Sequence, residues 1–162
     1  MSLTDVTLCG KTLCSPVIAA SGTFGFGGEY AGIVDMKKLG GISGKGLTLE
    51  GKYGNEGERL WETPAGRINS SGLQNPGVRH FIEYELPGMK KLGPAVLANL
   101  GGSTIETYEE GARLLDETNV DFIELNISCP NVKAGGIRNG PCLRGGGRGR
   151  AFPRQHVPGH GH

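Results

Sequence analysis

Apolar residues fall in short runs separated by polar, glycine-rich stretches, and the order of these runs predicts strands alternating with helices. Val6-Thr7-Leu8 and Thr12-Leu13 flank Gly10-Lys11, which predicts a short hairpin. Pro16-Val17-Ile18-Ala19-Ala20 reads as a strand that ends at Ser21, before a glycine-rich turn over residues 22–28. A short helix is predicted over residues 29–38, and Gly41-Ile42-Ser43-Gly44 reads as a strand ending at Lys45. Residues 48–77 are polar with no sustained period, too long for a plain connection, and predict a functional loop or a small hairpin insertion. A helix is expected over residues 78–85, with Pro87-Gly88 as its breaker. Ala95-Val96-Leu97-Ala98 is the next strand, ending at Asn99. Ser103 with Glu106 predicts a capping box for a helix that sets Ile105, Tyr108, Ala112 and Leu115 on one side. The last strand is Phe122-Ile123-Glu124-Leu125, where alternation puts Phe122, Glu124 and Asn126 on a common face.

This alternation argues for parallel strands joined by crossover helices. Each strand closes on a polar residue: Ser21, Lys45, Asn99 and Asn126. In a (β/α)₈ TIM barrel those positions form the catalytic rim. An open doubly wound sheet also gathers ligands at strand C-termini, but its glycine fingerprint should open directly into a helix, and residues 21–28 lack that spacing. The expected fold is therefore α/β, a (β/α)₈ barrel. Four strands make half of it, and a complete barrel takes about 250 residues. Residues 1–136 read as its N-terminal half.

Composition divides the chain at that point. The net charge of +1 combines −4 over residues 1–136 with +5 over residues 137–162, where five arginines face no acid. The tail is rich in glycine, arginine and histidine and its few apolar residues show no period, so it is expected to be disordered, or an out-of-frame C-terminus. Arginine and glycine together can bind nucleic acid, yet Phe152 is the tail's only stacking aromatic, and a nucleic-acid partner is not expected. Cys9, Cys14, Cys129 and Cys142 form no C-x-x-C pair and no metal-ligand spacing. No secretory signal and no run of 18 apolar residues occurs, so a membrane span is not expected and a reduced, cytoplasmic location is.

Candidate chemistry gathers at the strand ends. Lys45 stands between Gly44 and Gly46, where glycine lets a flat ligand approach the backbone and an ammonium can pair with an anion; the alternative is a solvated lysine. Residues 69–77, Asn-Ser-Ser-Gly-Leu-Gln-Asn-Pro-Gly, offer amides, hydroxyls and N–H groups, or are simply a polar loop. Asn99 and Asn126 suit ligand contact or the satisfaction of loop backbone. Cys129 follows the last strand in Asn126-Ile127-Ser128-Cys129-Pro130-Asn131, where it can be a base or a buried structural thiol. As a base it needs thiolate character, which a nearby ammonium promotes. His80, the one histidine before the tail, lies on a predicted helix, so a lone thiol base is expected rather than a Cys–His pair.

Four segments together resemble the class 1B, NAD-linked, dihydroorotate dehydrogenase catalytic subunits. They are Ala19-Ala20-Ser21-Gly22-Thr23-Phe24-Gly25, Lys45-Gly46, the block at residues 69–77, and residues 124–133 around Cys129. The resemblance covers residues 3–136 and implies a (β/α)₈ barrel with FMN at the strand C-termini. It implies FMN contacts from Ser21, Lys45, Gly46, Asn99 and Asn126. Dihydroorotate would be held by Lys45, Asn69, Ser70, Ser71, Gly72, Leu73, Asn126 and Asn131, and Cys129 would remove its C5 proton. It further implies pyrimidine (UMP) biosynthesis, a partner subunit carrying FAD and a 2Fe–2S cluster, NAD as final acceptor, and a homo-oligomer or heterotetramer. Residues 137–162 match nothing in this family, so the chain by itself is expected to be inactive. Two other readings stay open: the flavin domain of a dihydropyrimidine dehydrogenase, and a non-enzymatic fragment whose basic tail contacts nucleic acid.

Overall fold

The computed structural model describes residues 3–127. Strands β1 (Val6–Leu8) and β2 (Lys11–Leu13) pair antiparallel, with Leu8 opposite Lys11 across a two-residue turn. Cys9 and Gly10 in that turn both have positive φ, 47° and 80°, which matches the right-handed twist of the strands it joins. Strands β3 (Ile18–Ala19), β4 (Gly41–Ser43), β7 (Ala95–Leu100) and β8 (Phe122–Leu125) form one parallel sheet in the order β3-β4-β7-β8. This is the first arc of the barrel expected from the pattern. Between β4 and the first helix the chain inserts an antiparallel hairpin of β5 (Leu60–Thr63) and β6 (Gly66–Asn69).

Helices cover the outer face of the sheet. Successive residues of β7 point to opposite sides, and Val96, Ala98 and Leu100 point outward against Phe81, Met89, Tyr108 and Leu115. Ile42 of β4 and Leu47 join the same core. Each such fully buried side chain contributes about 1.5–3 kcal/mol. Helix α3 (Ile105–Asp116) buries Tyr108 and Leu115 of the expected side with Gly111 beside them, while Ile105 and Ala112 are half-buried. Gly111 permits a close approach: a methyl group there would lie 2.8 Å from Leu100 Cδ1.

Three local expectations are corrected. Residues 29–38 form no continuous helix but two separate 3₁₀ turns, Gly28–Tyr30 and Met36–Lys38. Gly32 weakens a helix interior, and the Asp35 carboxylate accepts from the Lys37 N–H (3.2 Å), starting a new turn in place of continuing the old one. Pro87-Gly88 does not break its helix. The segment runs from α1 (Val78–His80) through a π-helical stretch (Phe81–Glu85) into α2 (Leu86–Leu92), with Pro87 in the first turn of α2. The wider π stretch accommodates a residue that lacks an N–H and crowds the preceding carbonyl, and the helix ends instead at Gly93, with φ 102°. The capping box of α3 belongs to Thr104 and Thr107, not Ser103 and Glu106. Gly102 lies directly beneath Thr107 and Tyr108, so the chain is still extended at Thr104 and turns only at Ile105.

At the opposite end of the sheet from the rim, Asp121 is buried just before β8. Its carboxylate accepts from Lys11 of β2, from Lys90 of α2 (2.8 Å) and from the Val96 N–H of β7 (2.7 Å). Burial alone would raise its pKa. The donors from Lys11, Lys90 and Val96 outweigh burial and hold it below the ordinary carboxylate range. No helix among the described residues is long and apolar enough to cross a membrane. The expected tail at residues 137–162 lies outside the described residues.

Candidate functional site

The C-terminal ends of β4, β7 and β8 converge through a β-bulge. Gly44 N–H donates to the Leu97 carbonyl (3.0 Å), and the next ladder bond runs from Leu47 N–H to the Asn99 carbonyl (2.7 Å). Three residues on one strand therefore face two on its neighbour, and Lys45-Gly46 arches off the sheet at the rim. Beyond the bulge the pairing resumes, with Gly101 N–H donating to the Leu47 carbonyl (2.7 Å).

Gly46 is the floor of a small cradle. A methyl group on it would lie 3.1 Å from Asn99 Oδ1, 3.2 Å from Leu73 Cδ1 and 3.7 Å from Asn126 Nδ2. Asn126 Nδ2 donates to Asn99 Oδ1 (3.3 Å), so two amides on adjacent strands share one face of the site. The Asn99 side chain is buried, and the Asn126 carbonyl accepts from the Tyr108 hydroxyl (2.6 Å), which ties the rim to helix α3. Ser21, half-buried at the end of the β3 segment, donates to the Gly44 carbonyl (2.6 Å) and so braces the bulge from the other side. One layer deeper, Ser43 donates to the Glu124 carboxylate across β7, confirming that Ser43 and Glu124 share the inner face.

The described part of the predicted set divides into two groups. Gly46, Leu73, Asn99 and Asn126 meet in the cradle, and Lys45 precedes Gly46 on the bulge with its side chain in a separate cleft. Lys45 forms no ion pair among the described residues, and it lines a cleft of about 610 Å³ with Phe26, Lys52, Tyr53, Gln74 and Asn75. Asn69 and Ser70 instead lie exposed at the end of the insertion, and Ser71 and Gly72 are half-buried behind them. Their bonds run to the insertion itself: Asn55 Nδ2 donates to the Ser70 carbonyl (3.0 Å) and hydroxyl (2.9 Å), and Ser71 N–H donates to Asn69 Oδ1 (3.0 Å). Arg59 ties the loop further, donating to Gln74 Oε1 (2.8 Å) and the Asn55 carbonyl (2.6 Å). Cys129 and Asn131 lie outside the described residues.

Two elements of the site escaped the pattern. The bulge has no period-two signature, because it is a departure from that period; the Gly-Lys-Gly dipeptide steps were its only trace. Asn75 was visible only as one amide within a polar run, yet it is buried at the root of the insertion.

A flavin-sized planar group fits what the residues present. The rim has one floor position kept free of a Cβ and two amides in register above it, with Lys45 preceding that position on the bulge.

The dihydroorotate dehydrogenase family matches residues 3–141. The chain belongs to that family. Among curated dihydroorotate dehydrogenase family members, the Petrotoga mobilis protein named dihydroorotate dehydrogenase B (NAD(+)), catalytic subunit, is 51% identical over 137 residues, covering 85% of this chain and 46% of the relative. Proteins of the same name from Thermoanaerobacter pseudethanolicus and Shouchella clausii are 51% and 48% identical, covering 84% and 86% of this chain. They in turn are covered over 45% and 46% of their lengths, so the chain spans about half the length of the curated relatives it matches. A crystal structure of DHODH from Eimeria tenella in complex with ferulenol superposes with a TM-score of 0.53 at 18% identity, over 80% of this chain and 38% of that one, which supports the shared fold. The family's fold is the TIM barrel, and the four parallel strands here are its first half.

Proposed function

We propose that this chain is the N-terminal half of an FMN-dependent dihydroorotate dehydrogenase of the NAD-linked class, which oxidises dihydroorotate to orotate in pyrimidine biosynthesis. The observation that carries the reading is the cradle of Gly46, Asn99, Asn126 and Leu73 at the C-terminal ends of adjacent parallel strands, in a chain of this family. Ser21, Lys45, Gly46, Asn99 and Asn126 hold the flavin edge. Bound FMN supplies the acceptor for the hydride that leaves C6 of the substrate. Lys45 pairs with the substrate carboxylate, while Asn69, Ser70, Ser71, Gly72, Leu73, Asn126 and Asn131 hold the pyrimidine ring by its amide edges. Cys129, as thiolate, takes the proton from C5. In the complete enzyme a partner subunit with FAD and a 2Fe–2S cluster would carry the electrons on to NAD, in a cytoplasmic homo-oligomer or heterotetramer. The boundary placed at residue 136 falls five residues short of where the family match ends, at 141.

The relatives' names favour dihydroorotate over a free pyrimidine as substrate. The experiment joins residues 1–136 to the C-terminal half of the Petrotoga mobilis relative and measures flavin retention and flavin bleaching by dihydroorotate. A yellow protein bleached by dihydroorotate supports the reading, and one that retains FMN but ignores dihydroorotate sinks it. Within that protein, Lys45→Ala should weaken orotate far more than uracil; equal weakening removes the assigned role of Lys45.

A further inference from the structure

Asn75 lines the Lys45 cleft, and its side chain is buried at 6% exposure and bonded at both ends. Its Oδ1 accepts from the Thr48 N–H (3.0 Å) and the Gly77 N–H (3.0 Å). Its Nδ2 donates to the Thr48 hydroxyl (3.1 Å) and to the Leu73 carbonyl (2.8 Å). Its backbone exchanges both hydrogen bonds with Lys52, at 3.0 and 2.9 Å. The residue thus fastens the two ends of the insertion together and reaches two residues back to Leu73.

Leu73 is the strained member of the site. Its φ is 55°, and the only other non-glycine residue with positive φ among those described is Cys9 in the tight turn of the first hairpin. A leucine keeps that conformation only where its surroundings hold it. The same conformation aims its side chain at Gly46 and Gly101, 3.2 and 3.9 Å from their would-be methyl positions. We propose that Asn75 is a positioning residue: by donating to the Leu73 carbonyl it fixes the residue 69–73 loop in its ligand-ready shape and holds Leu73 against the cradle. The inference rests on the functional reading above, because it assigns the loop's ligand as orotate.

An isosteric swap separates this task from a general role in folding. Asn75→Asp retains the acceptor contacts to the Thr48 and Gly77 N–H groups; the Thr48 hydroxyl can reverse and donate to the new carboxylate, but at Leu73 a carboxylate oxygen now faces a carbonyl. The test uses the fusion of residues 1–136 to the second half of the Petrotoga mobilis relative, with orotate affinity read from the flavin spectrum and amide exchange followed through residues 71–74. Asn75→Asp should weaken orotate and raise KM for dihydroorotate about tenfold. It should leave kcat within about twofold, because the loop holds substrate and transition state alike. Exchange at residues 71–74 should quicken while the Thr48 and Gly77 amides stay protected. Unchanged orotate affinity overturns the inference, as does a loss confined to kcat. A wild-type enzyme that keeps FMN yet binds no orotate sinks the functional reading itself, an outcome seen before any variant is made. If Asn75→Asp does not fold, Leu73→Gly, which adopts positive φ without strain and leaves the Asn75 contacts to Thr48 and Gly77 in place, carries the comparison, and unchanged orotate affinity there overturns the inference.

Discussion

Gly46 shows how little room the rim leaves around one hydrogen atom. Gly46→Ala sets a methyl 3.1 Å from the buried Asn99 amide oxygen and 3.2 Å from a methyl of half-buried Leu73, both closer than ordinary contact. In the complete protein this change should cost about 1–3 kcal/mol of stability, as overpacking does. It should also strip FMN, which flavin content after gel filtration and a thermal midpoint measure together. Asp121 makes a second prediction at this scale. Its folded-state pKa lies below the ordinary value, so its stabilisation is complete above the unfolded value of about 3.9 and is lost as pH falls through the lower folded value. Asp121→Ala should cost about 3 kcal/mol at neutral pH, because two lysines and an N–H lose a buried partner, and the cost should shrink in acid titrations below pH of about 4. Residue identities at the rim were legible because polar residues at strand ends have few reasons to be there. Asn75 was not, since burial of an amide depends on what folds over it, and that lies in the insertion's path rather than in its composition.

Helix α3 tests two opposed effects in one substitution. Gly111→Ala gains about 1 kcal/mol of helix propensity. It also drives a methyl to 2.8 Å from Leu100, which is fully buried. The clash should win, lowering the denaturant midpoint by an amount equivalent to about 1–2 kcal/mol net. Thr104→Ala removes the cap and should cost about 1 kcal/mol, while Ser103→Ala should cost almost nothing; the reverse order would restore the cap to Ser103. Element types along the chain followed from period and punctuation, strands above all. What defeated the pattern was compensation by neighbours. Pro87 reads as a stop when taken alone, yet a π stretch one turn earlier absorbs it. Residues 29–38 carry helix-forming ends around Gly32 and Asp35, and the interior decided.

At the scale of the molecule, parallel order β3-β4-β7-β8 was legible because strand and helix alternate, but the sheet is only an arc. Among the described residues β3 and β8 each pair on one side alone, and open edges invite pairing between chains. The 162-residue chain by itself should therefore sediment as mixed higher species and retain little FMN. Fusion to a relative's second half should give one discrete species; a stoichiometrically yellow, monodisperse 162-residue chain would refute this. The Lys11–Asp121 contact adds a matter of timing. It spans 110 positions, so the first hairpin to leave the ribosome waits for Asp121, the residue just ahead of β8, before Lys11 gains this partner. The latch therefore becomes available at the threshold of the fourth barrel strand, and any shorter nascent chain lacks it.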